Sequence, residues 1–327
     1  MPVLERMGWV CDLLGAMKRA LTLLIFALPL CAQVKFTQTP GKIEVSIDGK
    51  PFTTFFSGGD SPKPYLAPLR TADGLVITRR FPMEAVAGET KDHQHHRGLW
   101  FTHGDINQVD FWMNEPGNKG KHGTITLNRP EQLKGGRKEG TIKASYSWKL
   151  DDGTLALRED RIMTFMADPQ LRIVDFDVTF TAQQPVVFGD TKEGFFAIRL
   201  RDELSENKGS GKMTNAEGKS GMKQVWGKKS PWVDYAGTLE GKNVGVTIMD
   251  HPGNPRHPTY WHARDYGLFA ANAFGVHDFL NDKSQNGSLT LKESQTLRFR
   301  YRVVIHPGLT AEVDAAGWFE TWSRASR

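Results

Sequence analysis

Cysteine is almost missing from this chain: of 327 residues only Cys11 and Cys31 carry a thiol. Both precede Gln33, so nothing after that point can form a disulfide or a thiolate-ligated metal site. Long apolar runs are scarce as well. The longest lies in "MKRALTLLIFALPLCAQ", where Lys18 and Arg19 lead into the apolar stretch from Ala20 to Leu30. A short positive segment, a short apolar segment and the small Ala32 before Gln33 are the three parts of a secretory signal. We therefore expect residues 1–32 to be an N-terminal extension plus signal peptide, with translation starting at Met17 and cleavage near Ala32. That predicts a periplasmic or secreted protein. No later stretch approaches the ~18 consecutive apolar residues of a spanning helix, so no membrane span is expected. A block of one charge sign is also absent. The 42 Lys and Arg against 37 Asp and Glu, a net +5, are interspersed along the chain. That pattern describes a solvated mixed surface and excludes a basic nucleic-acid footprint. Oligomeric state has no sequence signature here.

Sustained helical periodicity is missing too, and period two takes its place. In "LRIVDFDVTFTA", Val174, Phe176, Val178 and Phe180 share one face while Asp175, Asp177 and Thr179 share the other; "LRFRYRVVIH" repeats the pattern. This is the alternation of half-buried antiparallel strands. Shorter runs follow at "IEVSID", "GLVITRRF", "TIKASYSWKL", "TLALREDRIMTFM", "GFFAIRL" and "NVGVTIMD", separated by turn chemistry such as "DDG", "ADP" and "HPGNP". The pattern predicts an all-β fold, a large antiparallel β-sandwich forming one domain over 33–327. One short C-terminal helix is expected in "TAEVDAAGWFETWSRA", with Val313, Ala316, Trp318, Phe319 and Trp322 on one face and Gly317 weakening it. The Gly/Lys/Ser-rich stretch from Glu203 to Trp232 reads either as a lid over a site or as a structureless excursion.

Three segments concentrate chemistry. In "DHQHHRGLWFTHGD", four of the ten histidines fall within eleven positions. On an extended strand His93 and His95 would share a face, with His96 opposite. Two imidazoles on one face serve proton transfer or form half of a metal site, the latter with His93, His95 and either His103 or His262 as ligands of a divalent ion. Satisfied loop histidines are the plainer alternative. Arg97 adds a fixed cation, and Trp100 and Trp112 with Asp110 offer rings and hydrogen bonds suited to a sugar. In "FGDTKEGFFAIRL", Asp190, Lys192 and Glu193 precede an apolar strand, either as site residues or as surface ion pairs. In "HPGNPRHPTYWHARDYG", Tyr260, His262, Arg264 and Asp265 follow a stretch stiffened by Pro252, Pro255 and Pro258.

The motifs "HHRGLWFTHGDINQVDFW", "DTKEGFFAIR", "WVDYAG", "HPTYWHARDYGLFAANAFG" and "RFRYRVVIHPG" together resemble the PmoA-like family, labelled methane oxygenase PmoA, from about residue 34 onward. A lipid-embedded copper oxygenase does not fit amphipathic strands behind a cleaved signal. The resemblance instead implies a supersandwich similar to the galactose mutarotase-like superfamily, where two histidines and a carboxylate on a concave sheet face move protons at an anomeric centre. On this basis the expected function is a carbohydrate-active enzyme, a lyase, epimerase, mutarotase or hydrolase, working by general acid/base chemistry on a sugar or sugar-derived small molecule. His95 or His96 would be one proton-transfer group and Glu193 or His262 the other. Arg97, Lys192 and Arg264 would bind oxygens or a carboxylate, Asp110, Asp190 and Asp265 hydroxyls, and Trp100, Trp112 and Tyr260 the ring. A non-catalytic glycan-binding protein and a histidine-ligated metal enzyme are the alternatives.

Overall fold

The computed structural model describes residues 33–58, 61–129 and 131–325. The extension, signal peptide, Met17 start and Ala32 cleavage point lie outside the described residues.

The alternation read in "LRIVDFDVTFTA" becomes strand Arg172–Ala182, with Val174, Phe176, Val178 and Phe180 at most 2% exposed. Its polar face carries Asp175, which faces Arg302 across the antiparallel neighbour Thr296–Pro307 and accepts two charged hydrogen bonds from it at 2.6 and 2.7 Å. Strands of this kind assemble two large sheets. The first runs, in spatial order, Val34–Thr39, Lys42–Ile47, Lys50–Phe56, Tyr65–Leu66, Leu99–His103, Gly194–Arg199, Leu268–Asn272 and Tyr260–Arg264. The second runs Lys212–Asn215, Trp232–Leu239, Lys242–Asp250, Thr296–Pro307, Arg172–Ala182, Leu155–Met166, Glu139–Lys149 and Thr124–Leu127, with Gln132–Lys134 also paired to Glu139–Lys149.

Aromatic rings join the sheets. Phe196 of the first lies 4.8 Å from both Phe176 and Tyr301 of the second, and Phe101 lies 6.2 Å from Phe299. Each buried ring of this size contributes about 1.5–3 kcal/mol through area removed from water. The expected all-β antiparallel sandwich is therefore present. Among the described residues no helix is long and apolar enough to cross a membrane.

The C-terminal helix spans Ala315–Ala325. Trp322 and Ala315 bury against Trp232, Met249 and Val304 of the second sheet, flanked by half-buried Trp318 and Phe319. Ala316 faces solvent and Val313 stays outside the helix, contrary to expectation, because the helix starts only after Asp314, whose Oδ1 accepts the Gly317 N–H at 2.8 Å. A Cβ on residue 317 would collide with that carboxylate, so the glycine belongs to the cap.

Two other expectations change. "GLVITRRF" makes only the isolated bridges Arg70–Val76 and Thr78–Leu200, its Arg79 being engaged by a loop. The segment Glu203 to Trp232 is built rather than structureless, with strand Lys212–Asn215 and helical turn Met222–Val225. Glu206 staples it, its carboxylate accepting the N–H groups of Met213 and Met222, each at 2.9 Å.

Candidate functional site

Alternation along the central strands of the first sheet decides what its outer face offers. Leu99 and Phe101 turn into the core, and Trp100 turns out. In register beside it lie Ala197, Ala270 and His262, one per strand, with Tyr65 on the other side of Trp100. Two alanines between a tryptophan and a histidine leave a depression in the sheet. Above it opens a cleft of about 580 Å³, within the range of small-molecule sites.

All three chemistry-bearing segments reach this cleft. His93, His95 and His96 line it from the first, Lys192 and Glu193 from the second, and His262, Arg264 and Asp265 from the third, joined by Tyr266, Met113 and Met222. Met222 comes from the Glu203 to Trp232 stretch, read either as a lid or as an excursion, which supplies one wall.

The histidine segment is not a strand, and the expected split of His93 and His95 from His96 is overturned. A turn at Gln94 and His95, closed by the His96 N–H on the His93 carbonyl at 2.9 Å, gathers all three rings. Their centroids lie 4.4–5.7 Å apart. His93 takes a left-handed φ of 42°, a conformation an alternation argument cannot foresee. Two buried arginines hold the turn. Arg79 donates to the main-chain carbonyls of Asp92 and His93 at 2.8 Å each and pairs with the Asp92 carboxylate. Arg199 donates to the same carboxylate at 2.8 Å and to His96 Nδ1 at 3.2 Å. Burial opposes the Asp92 charge, but Arg199, His93 and Arg79 hold its carboxyl below the usual range.

Guanidinium only donates, so the His96 Nδ1 must accept, leaving its hydrogen on Nε2. Burial, then His95 and Arg199, push His96 well below the ordinary imidazole value. Burial, then Lys63, lower His95 to about 3. Burial, then Arg264 and Lys192, depress His262 strongly. Neither His262 nitrogen has a partner of sound hydrogen-bond geometry, although the Lys192 main chain is close enough to weigh against the shift. The cleft thus presents three neutral imidazoles beside one ion pair, Lys192 Nζ to Glu193 Oε1 at 2.6 Å. Tyr266, raised to about 12 by burial, stacks on His93 at 5.1 Å.

Several expected site residues do other work. Trp100 and Trp112 are buried floor: Trp100 stacks under His96 at 5.2 Å and Trp112 beside His262 at 6.3 Å, so neither offers a free face to a sugar. Arg97 is committed to Glu115 by a two-pronged pair at 2.8 and 2.6 Å. Asp110 caps its own turn, accepting the Trp112 and Met113 N–H groups at 2.6 and 3.0 Å. Asp190 ties down a neighbouring loop through His277 Nδ1 at 2.9 Å and the Gly287 N–H. Tyr260 packs on Phe279 at 5.4 Å, under Lys229, and does not line the cleft.

The metal set of His93, His95 and His103 is not assembled. His103 points to the opposite side of the sheet, among Phe188, Phe195 and Phe274, with Nε2 2.9 Å from the Gly189 carbonyl oxygen. Among the described residues no group of three or more His, Cys, Asp or Glu is disposed to hold a metal ion.

Sequence reasoning missed Arg79, Arg199, Tyr266 and Trp226. Arg199 was within reach: it follows Ala197 by two on the outward alternation of "GFFAIRL". Trp226, a lone aromatic in a Gly/Lys-rich stretch, stands edge-on to His262 at 5.1 Å and under Arg264 at 4.0 Å.

Among solved structures, the chain is similar to an α-galactosidase from Lactobacillus brevis (9% identity, TM-score 0.38, covering 83% of this chain and 39% of that one). It is similar also to galactose mutarotase-like proteins from Lactobacillus casei (8%, 0.35, 84% and 100%) and Clostridium acetobutylicum (9%, 0.34, 84% and 98%). The chain thus spans about two fifths of the α-galactosidase's length. No curated protein matches it. The model of a family of unknown function, DUF6807, matches residues 42–320, and the chain belongs to that family.

Proposed function

We propose that the cleft binds a sugar or sugar-derived small molecule and transforms it by general acid/base chemistry. The observation that carries this reading is the convergence of three neutral imidazoles and the Lys192–Glu193 pair on one open cleft. The geometry also divides the roles. An imidazole held far below neutrality is a poor base at pH 7 but a ready hydrogen-bond donor to an oxygen gaining negative charge. His96, its hydrogen fixed on Nε2 by Arg199, is therefore the donor. Glu193, tethered by Lys192, is the group that takes the proton. His95 and His262 orient hydroxyls, and Tyr266 holds a phenolic proton for the departing or ring oxygen.

The PmoA-like resemblance of the motifs carries the same sugar-related expectation through the galactose mutarotase-like superfamily. The signal read at residues 17–32 supports a periplasmic or secreted setting, and we read 33–327 as one domain. The test is a screen of the purified protein against aldoses, keto-glycosides and uronates. A His96→Ala, Glu193→Ala double variant is expected to lose at least ~10²-fold in turnover, the usual scale for general acid/base groups. Unchanged activity in that variant would overturn the assignment.

A further inference from the structure

Arginines around the cleft fall into two kinds. Arg79 and Arg199 are spent on Asp92, and Arg97 on Glu115. Arg264 is different. It lines the cleft, yet among the described residues no carboxylate lies within ion-pair distance of its guanidinium and no hydrogen bond engages it. Asp265, its neighbour in the chain, forms no ion pair with it.

Nor is Arg264 a loose surface cation. Strand Tyr260–Arg264 fixes its backbone, in register with Leu268 and pointing to the same side as His262. Its guanidinium carbon sits 4.0 Å from the centre of the Trp226 ring. A cation-π contact at that distance holds the guanidinium at the cleft wall, where its N–H groups have no acceptor among the described residues. Lys192 lies on the same flank, since both cations weigh on His262, but it is already answered by Glu193 at 2.6 Å. A pre-oriented, unanswered guanidinium in a concave site is a receptor for a planar anion, which it meets with two parallel hydrogen bonds.

We propose that the sugar taken by this cleft bears a carboxylate, and that Arg264, held against Trp226, binds it. The substrate class is a uronic acid or another carboxylated sugar. This rests on the cleft being a sugar site and narrows which sugars enter it. A sulfate ester also offers two oxygens to such a fork, so the titration below sets a 6-sulfated sugar against the uronate.

The experiment is calorimetric titration with galacturonate and glucuronate, their parent aldoses, their uncharged uronamides and a 6-sulfated aldose. Wild-type protein, Arg264→Gln and Arg264→Lys are compared, each first checked for an unshifted melting temperature. The uronate is expected to bind at least about tenfold tighter than its aldose and its uronamide, the scale of one good charged hydrogen-bond pair. Arg264→Gln erases that gap while leaving aldose affinity within about twofold, and Arg264→Lys keeps part of it. Equal binding of uronate and aldose by the wild type, or a gap that survives in Arg264→Gln, overturns the carboxylate assignment while leaving the sugar cleft standing. Preference for the 6-sulfated sugar over the uronate also overturns it. If no sugar of either kind binds, the sugar reading itself falls.

Discussion

Lowering the pH from 6.5 to 5.0 should strip this protein of much of its stability, and the buried histidines set the amount. His95, His96, His103, His251 and His262 are each at most 6% exposed. Burial lowers His95 to about 3 and His103 and His251 to about 4, and holds His96 and His262 well below their ordinary value. In the unfolded chain the same groups titrate near 6.5. Between those values the unfolded state holds more protons than the native one, so stability rises with pH and is lost as pH falls. Integrated from pH 6.5 to 5.0, each such group removes roughly 1–2 kcal/mol, and the five together several kcal/mol. Against a total of about 5–15 kcal/mol for a typical domain, that is a large share. Urea melts followed by tryptophan fluorescence at pH 7.5, 6.5, 5.5 and 5.0 measure it. His103→Gln should flatten the dependence by about a fifth, since the five groups contribute comparably. A free energy of unfolding that is level from pH 6.5 to 5.0, or a slope untouched by His103→Gln, would refute the claim that these imidazoles are neutral in the fold. The same neutrality underlies the division of labour in the cleft.

Other consequences are as direct. Ala270→Leu should abolish ligand binding, because Ala270 is fully buried between Ala197 and His262 and a larger side chain fills the depression. Overpacking of this kind costs about 1–3 kcal/mol, so calorimetry and a melting curve together report it, and undiminished affinity would contradict the placement of the cleft. Arg199→Met removes the cation that anchors His96 and half of what answers Asp92. The His96 resonance, followed by NMR, should then titrate at higher pH. Because the Asp92 side chain is 34% exposed and keeps Arg79, the stability loss should stay below the ~3–5 kcal/mol of a fully buried pair, and an unmoved His96 titration would show that Arg199 does not govern the ring.

The fold was legible because its signal is local and repeated: Val174, Phe176, Val178 and Phe180 alternate as only a half-buried strand does. The histidine cluster and the segments of Glu193 and His262 were legible as composition, three polar concentrations in an otherwise alternating chain, but their meeting in one cleft was not. What stayed hidden depended on long-range contacts. Arg79 and Arg199 sit in strand-like surroundings that read as solvent-facing charge, yet they meet at Asp92 and set the geometry of the turn. The left-handed φ at His93 turned an expected alternation into a cluster. Arg97, Asp110 and Asp190 looked free in sequence because Glu115, the Met113 main chain and His277 become neighbours through turns and tertiary contacts that residue patterns do not disclose. Rings in the right segment proved to be floor rather than platform, since burial of Trp100 and Trp112 follows from packing between Tyr65 and His262.

The central claim is that Glu193 and the neutral imidazoles transform a sugar in this cleft. Its most direct measurement is NMR observation of anomer interconversion and product formation across a sugar panel, with wild-type protein and Glu193→Gln side by side and binding measured on the same samples. The account predicts turnover by the wild type, a loss of at least ~10²-fold in Glu193→Gln, and affinity retained in both. Turnover that survives in Glu193→Gln, or binding without turnover of any sugar by the wild type, would contradict it.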